Sequence, residues 1–253
     1  MPLDWLGVPE FWVAERGEHL LAALACPPDP PQVAWLRLFT YRQMDAFQAW
    51  DIFWETVQKQ MLQNGCLHLA CISQQDWMES LLQARAFNHL QDIVLLEWTA
   101  GVPPSISPLP PGLRLRSMQP DDLPSVAMVD AVAFAPLWQN SLSALQDAYP
   151  QAAFATLIES DTGVLGYQIS TQSRAGVHLA RLAVRPEAQG RGIGSTLTAD
   201  LIQRACARGT KRISVNTQSD NQTSLHLYAK LGFRRTDQHY PVYVFDFPAH
   251  GKR

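Results

Sequence analysis

Residues 182–197, LAVRPEAQGRGIGSTL, change character halfway along. Their first three close the apolar run 177–184 (VHLARLAV), which reads as a strand stopped by Pro186. Their last open a run that places Ile193, Leu197, Leu201 and Ala205 on one helical stripe, with Gly209 just past its end. Between strand and helix lies Gln189-Gly190-Arg191-Gly192-Ile193-Gly194. A helix start presents N–H groups outside the helical ladder and the positive end of the helix dipole, and glycines let a phosphate approach the backbone. By residue type alone the turn is either an anion cradle or a tight structural turn. It is not a P-loop, because no Lys-Ser/Thr follows the last glycine. Nor is it a good dinucleotide fingerprint, because Ser195 stands where the third glycine belongs.

Outward from this segment, residues 113–117 (LRLRS) alternate as a strand. The run PDDLPSVAMVDAVAF reads as a helix with Asp121 or Asp122 near its start, and 136–149 as a second helical stretch. Strand-like runs 154–159 and 164–170 flank the turn Ser160-Asp161-Thr162-Gly163, which predicts a hairpin. Residues 212–217 (RISVNT) form a further strand, 222–230 a short helix stopped at Gly232, and 242–247 (VYVFDF) a last strand. This order predicts an α/β architecture of α+β type, in which a mixed sheet buries its faces under several helices.

With strand, turn and helix in place, LAVRPEAQGRGIGSTL resembles the pyrophosphate-binding motif of the GNAT (general N-acetyltransferase) superfamily. There a strand ending L-x-V leads to Q/R-x-x-G-x-G/A and a helix. Farther on, NQTSLHLYAKLGF at 221–233 resembles that family's second motif, an Asn with a Tyr seven residues later and Gly-Phe close behind. The resemblance covers 112–250 and implies the GNAT acyl-CoA N-acyltransferase fold. It implies that the backbone amides of Gln189, Gly190, Arg191, Gly192, Ile193 and Gly194 hold the pyrophosphate of acetyl-CoA or another short acyl-CoA, with Ser195 nearby. It also implies that Leu182, Ala183 and Val184 line the pantetheine, one amide polarising the thioester carbonyl. Arg191 either adds charge to a phosphate or is an exposed helix-start arginine. Asn221 contacts the cofactor or caps its helix.

The implied reaction is direct acyl transfer to a primary amine of a small molecule, peptide or protein, without a metal. Tyr228 is the candidate general acid, since a phenol of pKa about 10 stays protonated at neutral pH and can donate to a departing thiolate of thiol pKa about 8.5. The other reading makes it a core tyrosine on the stripe of Leu225. The base is not identified. Family members often carry a glutamate on the strand before the phosphate loop, and VHLARLAV has none. His178, Glu159 or a water chain could serve, or the first two are structural; an aromatic or anilinic amine, neutral at pH 7, would need no base. Phe134, Trp138 and Tyr149 either line an acceptor pocket or pack the core. The alternative function is a non-catalytic acyl-CoA-binding regulatory module, compatible with the missing carboxylate.

The chain has 253 residues, 47% of them hydrophobic and 17% charged, which fits two modest domains better than one. The proline-rich stretch 100–112 (AGVPPSISPLPPG) sets the expected division: 1–100, a linker over 101–111, and 112–253. A net charge of -3 with no Lys/Arg run argues against nucleic acid as a partner. No apolar run approaches the length of a membrane span, and residues 1–10 lack the pattern of a signal peptide, so a cytoplasmic location is expected. Cys26, Cys66, Cys71 and Cys206 read as reduced thiols; Cys66 and Cys71 resemble half a metal site without further ligands, so no metal is expected.

A shift of 144 residues lays the first part of the chain on the second without a gap, placing Val33, Arg37, Leu38 and Gly65 on Val177, Arg181, Leu182 and Gly209. The runs FWVAE, LLAALA, VAWLRLF, 45–63, LHLACI and 76–86 follow in register with their counterparts, which favours an internal duplication over two unrelated lobes. The expected arrangement is two tandem domains, the first an incomplete, degenerate copy lacking the opening strand and early helices, because the chain starts at the position of Leu145. Asp45, Gln48 and Trp50 meet Gln189, Gly192 and Gly194, while Trp77 and Ala84 meet Asn221 and Tyr228. The first copy is therefore expected to bind no CoA and to act as a structural or acceptor-shaping lobe in a monomer.

Overall fold

A computed structural model describes residues 7–99, 101–106 and 108–248. The chain divides into two compact units, Met1–Asp92 with Tyr240–Arg253, and Ile93–His239. In chain order the elements are β1 (Phe11–Arg16), β2 (His19–Ala25), β3 (Val33–Trp35), β4 (Leu38–Tyr41), α1 (Ala46–Gln63), β5 (His68–Ile72), α2 (Asp76–Ala84) and β6 (Asn88–Thr99). Then come β7 (Arg114–Ser117), α3 (Leu123–Ala133), α4 (Leu142–Ala148), β8 (Phe154–Ser160), β9 (Gly163–Ser173), β10 (Gly176–Val184), α5 (Ile193–Ala207), β11 (Arg212–Gln218), α6 (Gln222–Lys230) and β12 (Arg234–Asp246).

In the first unit, β1, β2 and β4 form an antiparallel three-stranded sheet, while β3 pairs in parallel with β5, whose other edge meets β12. The run VAWLRLF, expected as one strand, is broken. Leu36 N donates to Ala70 O of β5 and Arg37 N to Ala25 O of β2, both at 2.8 Å, so neighbouring residues commit to different sheets. Helix α1 buries Ala46, Ala49, Trp50, Phe53, Val57 and Met61, a 3.6-residue stripe. Trp50 is fully buried, its ring 5.4 Å from Phe39, 5.2 Å from Trp54 and 5.8 Å from Phe87. Cys26, Cys66 and Cys71 are buried thiols in this core; burial pushes Cys66 up to about 11 and Cys71 up to about 12.

The second unit has the strand order β12-β6-β11-β10-β9-β8-β7, antiparallel at β7/β8, β8/β9, β9/β10 and β11/β6, and parallel at β10/β11. Leu201, Ile202 and Ala205 of α5 pack with Val177, Leu179, Ile213 and Val215, and Val126 and Val129 of α3 with Leu157, Tyr167 and Ile169. The mixed sheet and the expected elements from 113 to 230 are present with small changes at their ends. The stretch 136–149 is the exception: Pro136 begins a single 3-10 turn, and α4 starts only after Ser141, whose Oγ accepts from Ala144 N at 3.1 Å. No described helix is long and apolar enough to cross a membrane.

The compact units do not follow the proline-rich divider. Residues 101–111 lie inside the second unit, where Gln203 Nε2 donates to Pro104 O at 2.9 Å and Leu109 packs beside Leu113 and Leu115. Sequence reading places no strand between the helix 76–86 and that divider, yet β6 fills the interval. β6 and β12 each run through both units, β6 entering the second at Ile93 and β12 the first at Tyr240. The 144-residue shift carries 88–99 onto 232–243, largely the place of β12. The segments of these strands pair far along the chain, β6 with β11 and β12 with β5.

Candidate functional site

The strands β10 and β11 pair only over Val177↔Ile213, His178↔Ser214 and Leu179↔Val215. Between Leu179 and Arg181 the register of β10 on β9 slips, a bulge that bends the strand. Beyond it β10 stays with β9 (Leu182↔Gln168, Ala183↔Tyr167, Val184↔Gly166), while β11 stays with β6 (Asn216↔Leu95, Thr217↔Val94, Gln218↔Ile93). A cavity of about 180 Å³ occupies the resulting gap, lined by Leu179 to Leu182 on one side and Val215 to Gln218 on the other, with Tyr228, Phe134 and Trp138 around it.

A second cavity, about 470 Å³, adjoins the first at Phe134, Leu182, Asn221 and Ser224. It is built around the start of α5. Gly192 precedes the helix at φ +82°, in the left-handed region that favours glycine; no side chain caps the helix, and its first turn holds no acidic residue. The helical ladder begins with Thr196 N to Gly192 O at 2.9 Å, so the amides of Ile193, Gly194 and Ser195 precede it. Gly166 of β9 lets this turn sit on the sheet, since a Cβ there would lie 2.8 Å from Ile193 Cγ2 and 2.9 Å from Ala183 O.

Leu182, Ala183, Val184, Gln189, Gly190, Gly192, Ile193, Gly194, Ser195 and Asn221 all line the larger cavity. Arg191 is exposed and is not part of its wall. Lys230, which the motif reading passed over, is, and it adds a cation to a wall without a carboxylate among its described residues. Asn221 caps α6, its Oδ1 accepting from Ser224 N at 3.0 Å, and borders both cavities. Tyr228 is 4% exposed, packs at 5.5 Å on Phe233 and lines the smaller cavity, so its core and site readings coincide in one position. Burial pushes its phenol well above the ordinary tyrosine range, and its hydroxyl bonds no described residue.

Neither candidate base reaches a cavity wall. His178 Nδ1 lies 2.9 Å from Ser214 Oγ and burial lowers its basicity, while Glu159 is held by Arg116 at 2.7 Å, the guanidinium keeping that carboxyl below its usual range. Phe134 and Trp138 line the smaller cavity; Tyr149 does not, its hydroxyl donating to Met118 O at 3.0 Å.

Sequence reading missed a buried ion pair behind that wall. Asp130 of α3 is fully buried and accepts from Arg181 Nε at 2.7 Å and Nη2 at 2.6 Å, from Asn140 N at 2.7 Å, and from the Tyr167 hydroxyl. Arg181 also donates to Trp138 O at 2.6 Å and stacks 3.6 Å over the Phe134 ring, tying the segment after α3 to β10. The signal was a lone acid in SVAMVDAVAF and a lone base in VHLARLAV: a charge embedded in an apolar run needs a partner when buried.

The Acetyltransferase (GNAT) family model matches residues 122–233. Mycothiol acetyltransferase of Actinosynnema mirum is 28% identical over 146 residues, 52% of this chain and 48% of the relative. That of Pseudarthrobacter chlorophenolicus is 32% identical over 144 residues, 51% of this chain and 45% of the relative. The chain thus spans about half the length of the curated relatives it matches. Among solved structures, a GCN5-related N-acetyltransferase from Sphaerobacter thermophilus has a TM-score of 0.67 at 16% identity, covering 96% of this chain and 84% of that one. A tandem GNAT protein from the clavulanic acid biosynthesis pathway has a TM-score of 0.66 at 13% identity, covering 95% of this chain and 84% of that one. These likenesses are of fold, and their coverage takes in the first unit as well as the second.

Removing the buried acid leaves Arg181 buried without its counter-charge. Asp130→Ala should cost about 3–5 kcal/mol of stability, read as a lowered urea midpoint by tryptophan fluorescence. An unchanged midpoint would show that the pair contributes nothing net.

Proposed function

We propose, from the match of residues 122–233 to the Acetyltransferase (GNAT) family model, that this chain transfers an acetyl or other short acyl group from acyl-CoA to a primary amine of a small molecule or peptide. The observation that carries the proposal is that the uncapped start of α5 and the β11-free edge of β10 open on one cavity. The amides of Gly190 to Ser195 hold the pyrophosphate there, helped by the helix dipole and Lys230. The edge of Leu182 to Val184 bonds the pantetheine as an added strand would, and one of its amides polarises the thioester carbonyl. The thioester then lies where the cavities meet, and Tyr228 protonates the departing sulfur. The names of the relatives favour acetyl as the group moved. A non-catalytic acyl-CoA-binding module is the second reading, favoured by the absence of Asp, Glu and His from the described cavity walls.

Thiol release from acetyl-CoA across a panel of primary amines separates the two readings. Turnover with any of them supports transfer; tight binding without turnover supports the module.

Gly194→Val tests the cradle, because a Cβ there would meet Leu227 Cδ2 at an ordinary 3.4 Å and need not disturb the protein. Gly192 is the poorer choice, its left-handed φ making any substitution a backbone change. The expected result is more than tenfold weaker acyl-CoA binding by calorimetry with an unchanged melting temperature; unchanged affinity would remove the turn from the site.

Tyr228→Phe should lower turnover by about one to three orders of magnitude with acyl-CoA affinity retained, since the lost interaction belongs to the transition state. Wild-type turnover with chemistry rate-limiting would return Tyr228 to the core.

The full chain should bind one acyl-CoA. At the matching place in the first unit, Asp45 Oδ1 accepts from Gln48 N at 2.9 Å, capping α1, and Trp50 fills the core. A stoichiometry of two by titration calorimetry would contradict this.

A further inference from the structure

At one end β10 and β11 diverge around the smaller cavity; at their other end, just before the first pair Val177↔Ile213, the surface holds a separate hollow of about 300 Å³. It is lined by the β9–β10 turn, Gln172 to Gly176, and by the segment Arg208 to Arg212 that joins α5 to β11. The 15 residues of α5, at about 1.5 Å each, put roughly 22 Å between this hollow and the glycine turn.

Four side chains of this lining are cations, Arg174, Arg208, Lys211 and Arg212, in a chain whose net charge is -3. Among its described lining residues there is no Asp or Glu. Glu97 of β6 pairs with Arg212, and the C-terminal end of α5 carries about half a negative charge, which against four cations leaves a surplus of about two and a half positive charges. The frame that holds them is stiff. Arg174 and Ala175 form the tip of the turn between the paired residues Ser173 and Gly176. Gly176, at φ +130°, lies against the start of β11, where a Cβ would run into Arg212 O. Opposite, Gly209 at φ +80° ends α5, its N donating to Cys206 O at 2.8 Å and Thr210 N to Ala205 O at 3.0 Å. Arg208 is placed by stacking 4.3 Å over the Phe154 ring, and Arg212 by Glu97. Arg174 and Lys211 are exposed and, among the described residues, have no ion-pair partner. No apolar side chain larger than the methyl of Ala175 lines the hollow, so it offers nothing to hold an acyl chain, enter a membrane or stack a base.

We propose that this hollow binds a compact polyanion, a short chain of adjacent phosphoryl groups, free or carried on a nucleoside whose base stays in solvent. Guanidinium groups meet phosphoryl oxygens with paired N–H donors, and Lys211 adds a point charge. A lone phosphate at so open a place is held weakly, because water and salt screen each pair. A triphosphate answers the whole surplus at once. Arg174 stands ahead of β10 and Lys211 ahead of β11, so an anion between them ties together the closed end of the two strands whose open end is the smaller cavity. The site is separate from acyl-CoA binding and does not depend on it.

The test is titration calorimetry of the full chain with inorganic tripolyphosphate at low ionic strength. It is run with acetyl-CoA in excess and again on Gly194→Val, so that the glycine turn is occupied in one case and obstructed in the other. The expected result in both is one equivalent of tripolyphosphate, bound about tenfold or more tighter than orthophosphate, and about tenfold or more weaker in Arg174→Gln/Lys211→Gln. Neither side chain has a partner to lose, so the melting temperature of that variant without anion should match the parent's. Arg16→Gln/Lys59→Gln removes the same charge at exposed positions of the first unit and should leave the affinity in place. ATP separates the two sources: binding equal to that of tripolyphosphate supports a chain carried on a nucleoside, and failure to bind supports free condensed phosphate. Equal losses in the two double variants would reduce the effect to net charge and overturn the proposal. Binding that acetyl-CoA displaces or that Gly194→Val abolishes, an affinity no better than that of orthophosphate, or no binding of tripolyphosphate would overturn it as well.

Discussion

A parallel ladder that ends after three residue pairs organises the second unit. Were β10 and β11 to continue together beyond Leu179 and Val215, their edges would satisfy one another and close the gap. The bulge around Ala180 instead leaves β10 bound to β9 and β11 bound to β6, so each strand is held rigidly from its outer side. Backbone groups on the two facing edges are thereby left outside the β10/β11 ladder, on strands anchored from behind. The Arg181–Asp130 pair sits just past the bulge and fastens α3 and the Trp138 carbonyl to the same strand. The desolvation cost of that pair is offset by bidentate geometry and two further donors to the carboxylate.

The two long helices start in different ways. Helix α1 starts at Asp45 with a reciprocal capping box, and α5 at Gly192 with no side-chain cap. A cap of this kind is worth about 1 kcal/mol. In α1 that energy goes into the unit's own stability. In α5 no such cap forms, and the amides of Ile193, Gly194 and Ser195 precede the helical ladder.

The glycine turn 189–194, its flanking strand and the segment 221–228 were legible because each is a local spacing: glycines at a strand-to-helix turn, or an Asn and a Tyr on one short helix. The structure adds what depends on distant partners. Asp130 and Arg181 are 51 positions apart, and a lone charge in an apolar run asks for a partner without saying which. The apolar run VAWLRLF reads as a single strand, since the split of Leu36 and Arg37 between β5 and β2 is decided by pairing rather than propensity. β6 escaped notice for the same reason, and Tyr228 could not be divided between core and cavity because a side chain can be 4% exposed and still form a wall.

The pairings of β6 with β11 and of β12 with β5 bear on how the chain is made. During synthesis, β5 is complete long before residues 242–246, its antiparallel partners, leave the ribosome. Until then that strand carries an open edge, and open edges invite pairing with other chains. The second unit has the opposite history: β6 waits through more than a hundred residues for β11. Each sheet is therefore completed only once its late strand has been made, and cutting the chain at its prolines would sever two strands from the sheets they complete.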